Sequence, residues 1–226
     1  MLTTLREPLK PRTKEEYAYD VLRTAILRCE LEPGEKLVLD NLSEKMGVSP
    51  IPLRGALQRL QSEGLVEIKP HTGAIVSELL PADIEQVSLL LERLENLSFE
   101  VAAHKVTDAD IVRLHKLVEE MASALAAEDS ERWSELNVEF HRSIAHITSM
   151  KLLVEFTNRA LDNWTRLRRW YLQQIILQLP LALAEHRQMV ELLALRDTSG
   201  LAELVIQHNQ RVRDECRQVI AQLSHP

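Results

Sequence analysis

At 226 residues the chain has room for one large domain or two small ones, each with its own core. Only 4% of the residues are aromatic and six are Gly, a composition that favours a mostly helical protein over a sheet-rich one. The net charge of −7 argues against a chain drawn to nucleic acid by its overall balance: residues 1–78 carry 11 basic against 12 acidic groups, the remainder 16 against 22.

A first helix is expected from Thr13 or Lys14 to Cys29, with Tyr17, Val21, Leu22, Ala25 and Ile26 at helical spacing and Pro33-Gly34 as the turn beyond it. Leu42 to Met46 make a short second helix closed by Gly47. Ser49 then caps a third helix, with Pro50 and Pro52 in its first turn, where their missing N–H groups cost nothing. Because Pro52 has no amide proton, the Ile51 amide becomes the expected partner of the Ser49 hydroxyl. Leu53, Ala56, Leu57 and Leu60 fall at i, i+3, i+4 and i+7 and face the core, which turns Ile51, Arg54, Gly55 and Gln58 outward. Val66–Ile68 and Ala74–Ser77 alternate as strands of a two-stranded ribbon around His71-Thr72-Gly73. From Pro81 onward the texture becomes long helices near 82–104, 107–127, 130–148, 151–178, 181–197 and 199–223, an antiparallel bundle. Ser130 and Ser199 are the expected caps, Thr107 with Asp110 resembles a capping box, and Pro180 is expected as a stop. The predicted domains are therefore 1–78, a winged helix-turn-helix, and 79–226, an all-helical bundle of about six helices. Cys29 and Cys216 lie far apart with no ligand spacing, which suits reduced thiols in a cytosolic protein. The N-terminus lacks the apolar run of a signal peptide, and Ile175–Ala184, broken by Gln178 and Pro180, is too short to span a bilayer, so a cytoplasmic protein without a membrane partner is expected.

The helix-turn-helix and ribbon suit a reader of the DNA major groove. Arg54 can present a planar fork to guanine, Ser49 can donate to a phosphate at the helix N-terminus, and the Thr72-Gly73 tip can touch the backbone. Ile51, Gln58, Arg59 and His71 complete the expected DNA face. Lys45, Lys69 and the Lys10-Arg12-Lys14 arm add positive charge by placement. The other reading of the pattern is a generic helix-turn-helix used for protein contacts, with Arg54 as a solvated surface charge. The run Pro33-Gly34, Leu37, Leu42-Ser43, Met46-Gly47-Val48-Ser49, Pro52-Leu53-Arg54, Ala56-Leu57, Leu60, Glu63-Gly64-Leu65-Val66 and Gly73 resembles the winged helix of GntR-type transcription regulators. That resemblance implies binding to a double-stranded, palindromic operator as a homodimer. Two departures stand out. Pro50 replaces the Arg that usually follows Ser, removing one expected DNA contact, and Gly55 replaces a Glu at a cost of about 1 kcal/mol of helix propensity against Ala.

In the second domain Asn137 and His141 share a helix face, while His186 and His208 sit on later helices. Three imidazoles converging in a bundle suit a borderline divalent metal. Histidines at such spacing are more often hydrogen-bonded core or surface groups than metal ligands. The segments Leu94-Glu95 to Ala102-Ala103, Asn137 to His141, and Glu185-His186 through Asp197 to His208 resemble the helical ligand-binding (FCD-type) domain of the FadR branch. That resemblance implies a divalent metal, zinc or nickel, held by Asn137, His141, His186 and His208, with Asn137 standing where relatives carry Asp. It also implies a small carboxylate effector, held in relatives by an Arg whose position here is Leu91; Arg93, Arg166, Arg168 and Arg169 are the candidate replacements. The alternative is a metal-dependent helical enzyme that uses the winged helix for docking. Against it, the chain has no Glu-x-x-His pairs of the di-metal kind, no placed general base, no Ser nucleophile elbow, no phosphate-binding Gly loop and no Cys-His constellation.

Overall fold

The computed structural model describes residues 13–69, 73–171 and 178–223, and the chain divides into two compact units at Glu78/Leu79. Unit 1 contains α1 (Lys14–Leu27), β1 (Lys36–Leu37), α2 (Leu39–Met46), α3 (Pro50–Ser62), β2 (Val66–Lys69) and β3 (Gly73–Val76). A capping box starts α1: Thr13 Oγ1 accepts from the Glu16 amide, and Glu16 accepts from the Thr13 amide at 2.8 Å. Gly47 closes α2 at φ +62, a left-handed turn that L side chains avoid, and so sets the bend into α3. Leu53, Ala56, Leu57 and Leu60 are buried beside Leu22, Ile26, Leu65 and Val76.

Three details differ from the sequence reading. The ribbon gains a third strand, β1, so the antiparallel sheet runs β1-β3-β2 with Leu37 opposite Ala74 and Lys69 opposite Gly73. Two residues carry too little alternation to be read as a strand. Helix α2 begins three residues earlier than expected, at Leu39. Ser49 is the N-cap of α3 by backbone geometry, but its hydroxyl makes no capping bond; with Pro at N1 and N3, few orphan amides remain to attract it.

Unit 2 contains α4 (Pro81–Lys105), α5 (Asp108–Ala126), α6 (Ser130–Ile147), α7 (Lys151–Tyr171), α8 (Leu179–Leu195) and α9 (Thr198–Leu223). Helix α4 packs along α7 and α9, while α5 packs against α6 and α8. One apolar cluster joins Phe99, Met121, Trp133, Phe140, Val190 and Val205, and a second joins Leu91, Leu161, Trp164 and Leu167. Thr107 and Asp110 form the expected capping box. The other two caps shift by one or two residues: Asp129 accepts from the Arg132 amide in place of Ser130, and Asp197 accepts from the Gly200 amide in place of Ser199. A carboxylate is the better acceptor at a helix N-terminus because the macrodipole favours negative charge. Pro180 does not stop a helix but occupies the first turn of α8, where Pro is tolerated, so His186 lies two turns inside it. Residues 172–177 of the expected long seventh helix lie outside the described residues. No helix among the described residues is long and apolar enough to cross a membrane.

Candidate functional site

In unit 1 the outward face of α3 carries Ile51, Arg54 and Gln58, all exposed, with Ile51 79% exposed. The inward Leu53–Leu60 stripe fixes this phase, so the exposed row follows from the burial of the other. Ser49 is exposed at the head of the helix and Gly73 at the start of β3. A groove of about 380 Å³ runs between α3 and the sheet, lined by Arg54, Gln58, Lys36, Ile68 and Gly73 among others. Lys36 was not singled out from the sequence, because its place depends on the missed strand. Arg59 departs from expectation. It stacks on the Tyr19 ring at 3.6 Å, with Nε 3.8 Å from Glu63 Oε1, and so is engaged within its own domain. Five residues past Arg54, it lies about 140° around the helix. Tyr19 donates to Glu63 at 2.7 Å, and burial together with that carboxylate pushes the phenol up to about 12. Lys69 pairs with Glu67 at 3.2 Å. His71 and Thr72, and Lys10 and Arg12 of the arm, lie outside the described residues.

Gly55 has a structural reason. A Cβ there would lie 2.5 Å from the carboxylate carbon of Glu15 on α1. The missing side chain lets the first helix seat its acidic first turn against α3.

In unit 2 a ring nitrogen of each of His141 (α6), His186 (α8) and His208 (α9) lies within 4.8 Å of those of the other two. The Nε2 atoms of His141 and His186 are 3.2 Å apart, and all three residues are buried. Each Nδ1 faces an acceptor. Glu95 Oε1 lies 3.0 Å from His141 Nδ1, Glu185 Oε2 lies 2.5 Å from His208 Nδ1, and the Ala182 carbonyl lies 2.6 Å from His186 Nδ1. With the protons on Nδ1, the Nε2 lone pairs turn toward one another. This is the arrangement of metal-ligating imidazoles oriented from behind by carboxylate and carbonyl. The Phe140 ring meets His186 edge-on at 4.8 Å and Trp133 lies beyond, closing the cluster from water.

Burial, reinforced by His208 and His141, holds His186 well below the usual imidazole pKa. Burial alone would raise the Glu185 carboxyl, but hydrogen bonds from His208 and Arg211 overcome it and hold the group down at about 2. Glu95 is likewise lowered: burial opposes ionisation, and His141 and Asn209 outweigh it. Neither glutamate was assigned a role from the sequence. Glu185 is adjacent to His186, but its partner is His208 on the next helix.

His141 and His208, but not His186, border a cavity of about 50 Å³ whose lining includes Asn137, Leu91, Trp133, Trp164, Arg168 and Arg211. Asn137 therefore joins His141 and His208 in that lining, one turn before His141. Of the candidate arginines, Arg168 does as well and the other three do not. Arg93 is exposed and lies 3.5 Å from Glu92, Arg166 is buried on another side of α7, and Arg169 pairs with Glu131. The cations that do reach the cavity are Arg168 and Arg211. The difference is one of helix phase, since Leu161, Trp164 and Thr165 also line the cavity and Arg168 continues their row.

Comparison with known proteins bears on both units. Residues 14–76 match the gntR family of bacterial regulatory proteins, and residues 86–211 match the FCD domain. The chain is 24% identical over 217 residues to the HTH-type transcriptional repressor RspR of Escherichia coli K12, covering 96% of this chain and 93% of RspR. It is 28% identical over 137 residues to the HTH-type transcriptional regulator McbR of the same organism, covering 61% of each. A further HTH-type regulator, from Agrobacterium vitis, is 31% identical over 130 residues, covering 56% of this chain and 76% of the relative. The solved structure of E. coli McbR/YncC superposes with a TM-score of 0.79 at 22% identity over 92% of this chain and 99% of that one, which shows a shared fold.

Proposed function

Because the chain belongs to the gntR family of bacterial regulatory proteins, in the branch with an FCD domain, and is a transcriptional regulator rather than an enzyme, we propose that it is a metabolite-responsive repressor. In this reading a homodimer binds a palindromic operator in the cytoplasm, and a small carboxylate entering the helical domain changes its DNA affinity. Relatives named repressors support the direction of control. Ser49, Ile51, Arg54, Gln58, Lys36 and the Gly73 turn form the DNA face, with Arg54 reading a base edge or a phosphate. Homodimerisation would cover the outward side of α4, where Leu89, Leu90 and Leu97 are exposed.

The observation that carries the effector half is the set of three buried imidazoles, each fixed from behind, with ring nitrogens within 4.8 Å of one another and two of the rings bordering a cavity. Three neutral nitrogen donors suit zinc or nickel, with the Asn137 amide oxygen as a weaker fourth partner where relatives carry a carboxylate. When bound, the metal supplies a positive centre for the effector. The chain's own residues set its position, exclude water through Phe140 and Trp133, and keep the histidines in one tautomer. An effector shifts the DNA-binding equilibrium only by its difference in affinity for the two states.

Fluorescence anisotropy with duplex from the gene's own upstream region tests the reading. Wild-type protein should bind with steep salt dependence, and Arg54→Ala should weaken binding by about 1–3 kcal/mol, roughly 5- to 150-fold, with a salt slope shallower by about one. Binding unchanged in Arg54→Ala counts against α3 as the reading helix.

A further inference from the structure

The first turn of α3 reads Pro50-Ile51-Pro52-Leu53, four side chains that neither donate nor accept a hydrogen bond. Leu53 is buried in the core and Pro52 is half-buried, so Pro50 and Ile51 form the exposed surface of this end of the helix. Ser49, whose hydroxyl makes no capping bond, is the hydrogen-bonding side chain beside them. At 79% exposure Ile51 is the most exposed large apolar side chain among the described residues. An isolated isoleucine on a protein surface is ordinary. The position of this one is not.

Ile51, Arg54 and Gln58 are spaced i, i+3 and i+7 and form one exposed row along α3. Seven residues at a rise of about 1.5 Å span about 10 Å, the rise of about three base pairs. Arg54 and Gln58 also line the groove between the helix and the sheet. A helix lying in the major groove sets its N-terminal residues against base edges, and here that end presents two hydrocarbon side chains. The base edges in that groove carry donors and acceptors throughout, with one hydrocarbon group among them, the C5 methyl of thymine. Packing Ile51 on a purely polar edge would desolvate that edge without supplying a partner.

We propose that Ile51 selects thymine in each operator half-site by packing on its C5 methyl, while Arg54 and Gln58 contact the polar edges or phosphates beside it. The assignment rests on reading α3 as the helix that enters the groove. One methyl removed from water is worth about fourfold in affinity. A dimer on a two-fold operator makes the contact twice, about fifteenfold across both half-sites. The contact neutralises no phosphate, so the discrimination should be the same at low and high salt, unlike the contribution of a phosphate-bound arginine.

The test is fluorescence anisotropy of the full-length protein on the upstream duplex, trimmed to the sequence that the protein protects from nuclease. Deoxyuridine replaces thymidine one symmetric pair of positions at a time, which removes the methyl and keeps the base pair. At one such pair wild-type protein should lose about fifteenfold. Ile51→Ala should lose at least as much on the unmodified duplex and less than about twofold more from uridine at that pair, a coupling that isolates the contact. Because the side chain is exposed, the variant should unfold at the wild-type temperature. Wild-type binding indifferent to uridine at every position, or a uridine penalty as large in Ile51→Ala as in wild type, overturns the assignment; a loss of affinity in Arg54→Ala would leave α3 standing as the reading helix. Failure of wild-type protein to bind the upstream duplex overturns that reading and the assignment with it.

Discussion

Replacing Glu95 with Gln keeps the shape of a buried side chain and removes one charge, which isolates the orienting role of this residue. Glu95 is 5% exposed; one carboxylate oxygen faces His141 Nδ1 at 3.0 Å and the other accepts from Asn209 Nδ2 at 2.8 Å. A glutamine has one acceptor and one donor end for these two donors. If its oxygen stays with Asn209, its NH₂ meets His141 Nδ1, and the ring must move its proton to Nε2, losing the lone pair that a metal needs. If its oxygen turns to His141, two NH₂ groups oppose each other. Either arrangement forfeits a close carboxylate–imidazole contact; a charge-assisted contact of this kind is worth about 1.5–3 kcal/mol, and at about 1.4 kcal/mol per decade this is roughly 10- to 150-fold in zinc affinity. Orienting partners of metal ligands typically contribute about 10- to 100-fold, which overlaps that range. Competition between the protein and a chromogenic chelator at neutral pH measures the affinity, with circular dichroism to confirm a native helix content. Zinc affinity within about threefold of wild type in a folded Glu95→Gln variant would refute the role given to Glu95 and weaken the tautomer assignment of His141.

Other consequences are testable more briefly. Asn137→Asp places a carboxylate where an amide lines the cavity, and should tighten metal retention in the same competition assay; an unchanged affinity counts against Asn137 as a ligand. Gly55→Ala should gain about 1 kcal/mol of helix propensity only where the Glu15 carboxylate is out of the way. Urea unfolding should therefore show a larger gain in a Glu15→Ala background than in wild type, and equal gains would rule out the close approach. Burial, with Glu215 nearby, pushes the Cys216 thiol up to about 12. It thus stays protonated through pH 9, and alkylation at pH 8.5 should modify Cys29 in the native protein and reach Cys216 only in denaturant. Modification of both at equal rates would contradict the buried position.

How much of this was legible beforehand varies element by element. The third helix could be read to the residue, because the Leu53, Ala56, Leu57 and Leu60 stripe and the proline pair at its start are local signals, and the outward phase of Arg54 follows from them. Strand β1 could not: two residues have no periodicity, and they become a strand only when β3 arrives beside them. The same holds for the caps. Asp129 and Ser130 are both good N-cap residues, and the choice between them depends on where the preceding helix lets the chain turn.

The histidines themselves were visible as residues and spacing, but not what holds them. Glu95 reaches His141 from α4 and Glu185 reaches His208 from α8, contacts between residues 46 and 23 positions apart that only packing creates. Sequence also marked an arginine cluster on α7 without marking which member faces inward. That was decided when Leu161 and Trp164 turned to the cavity and carried Arg168 with them, leaving Arg169 to Glu131. By itself, then, the sequence determined most of the helices, the exposed face of α3 and the identity of the three imidazoles, because these depend on short-range periodicity. Tertiary structure alone decided the acceptors behind the imidazoles and which arginines line the cavity, because charge and hydrogen-bond balance are settled only between neighbours from different helices.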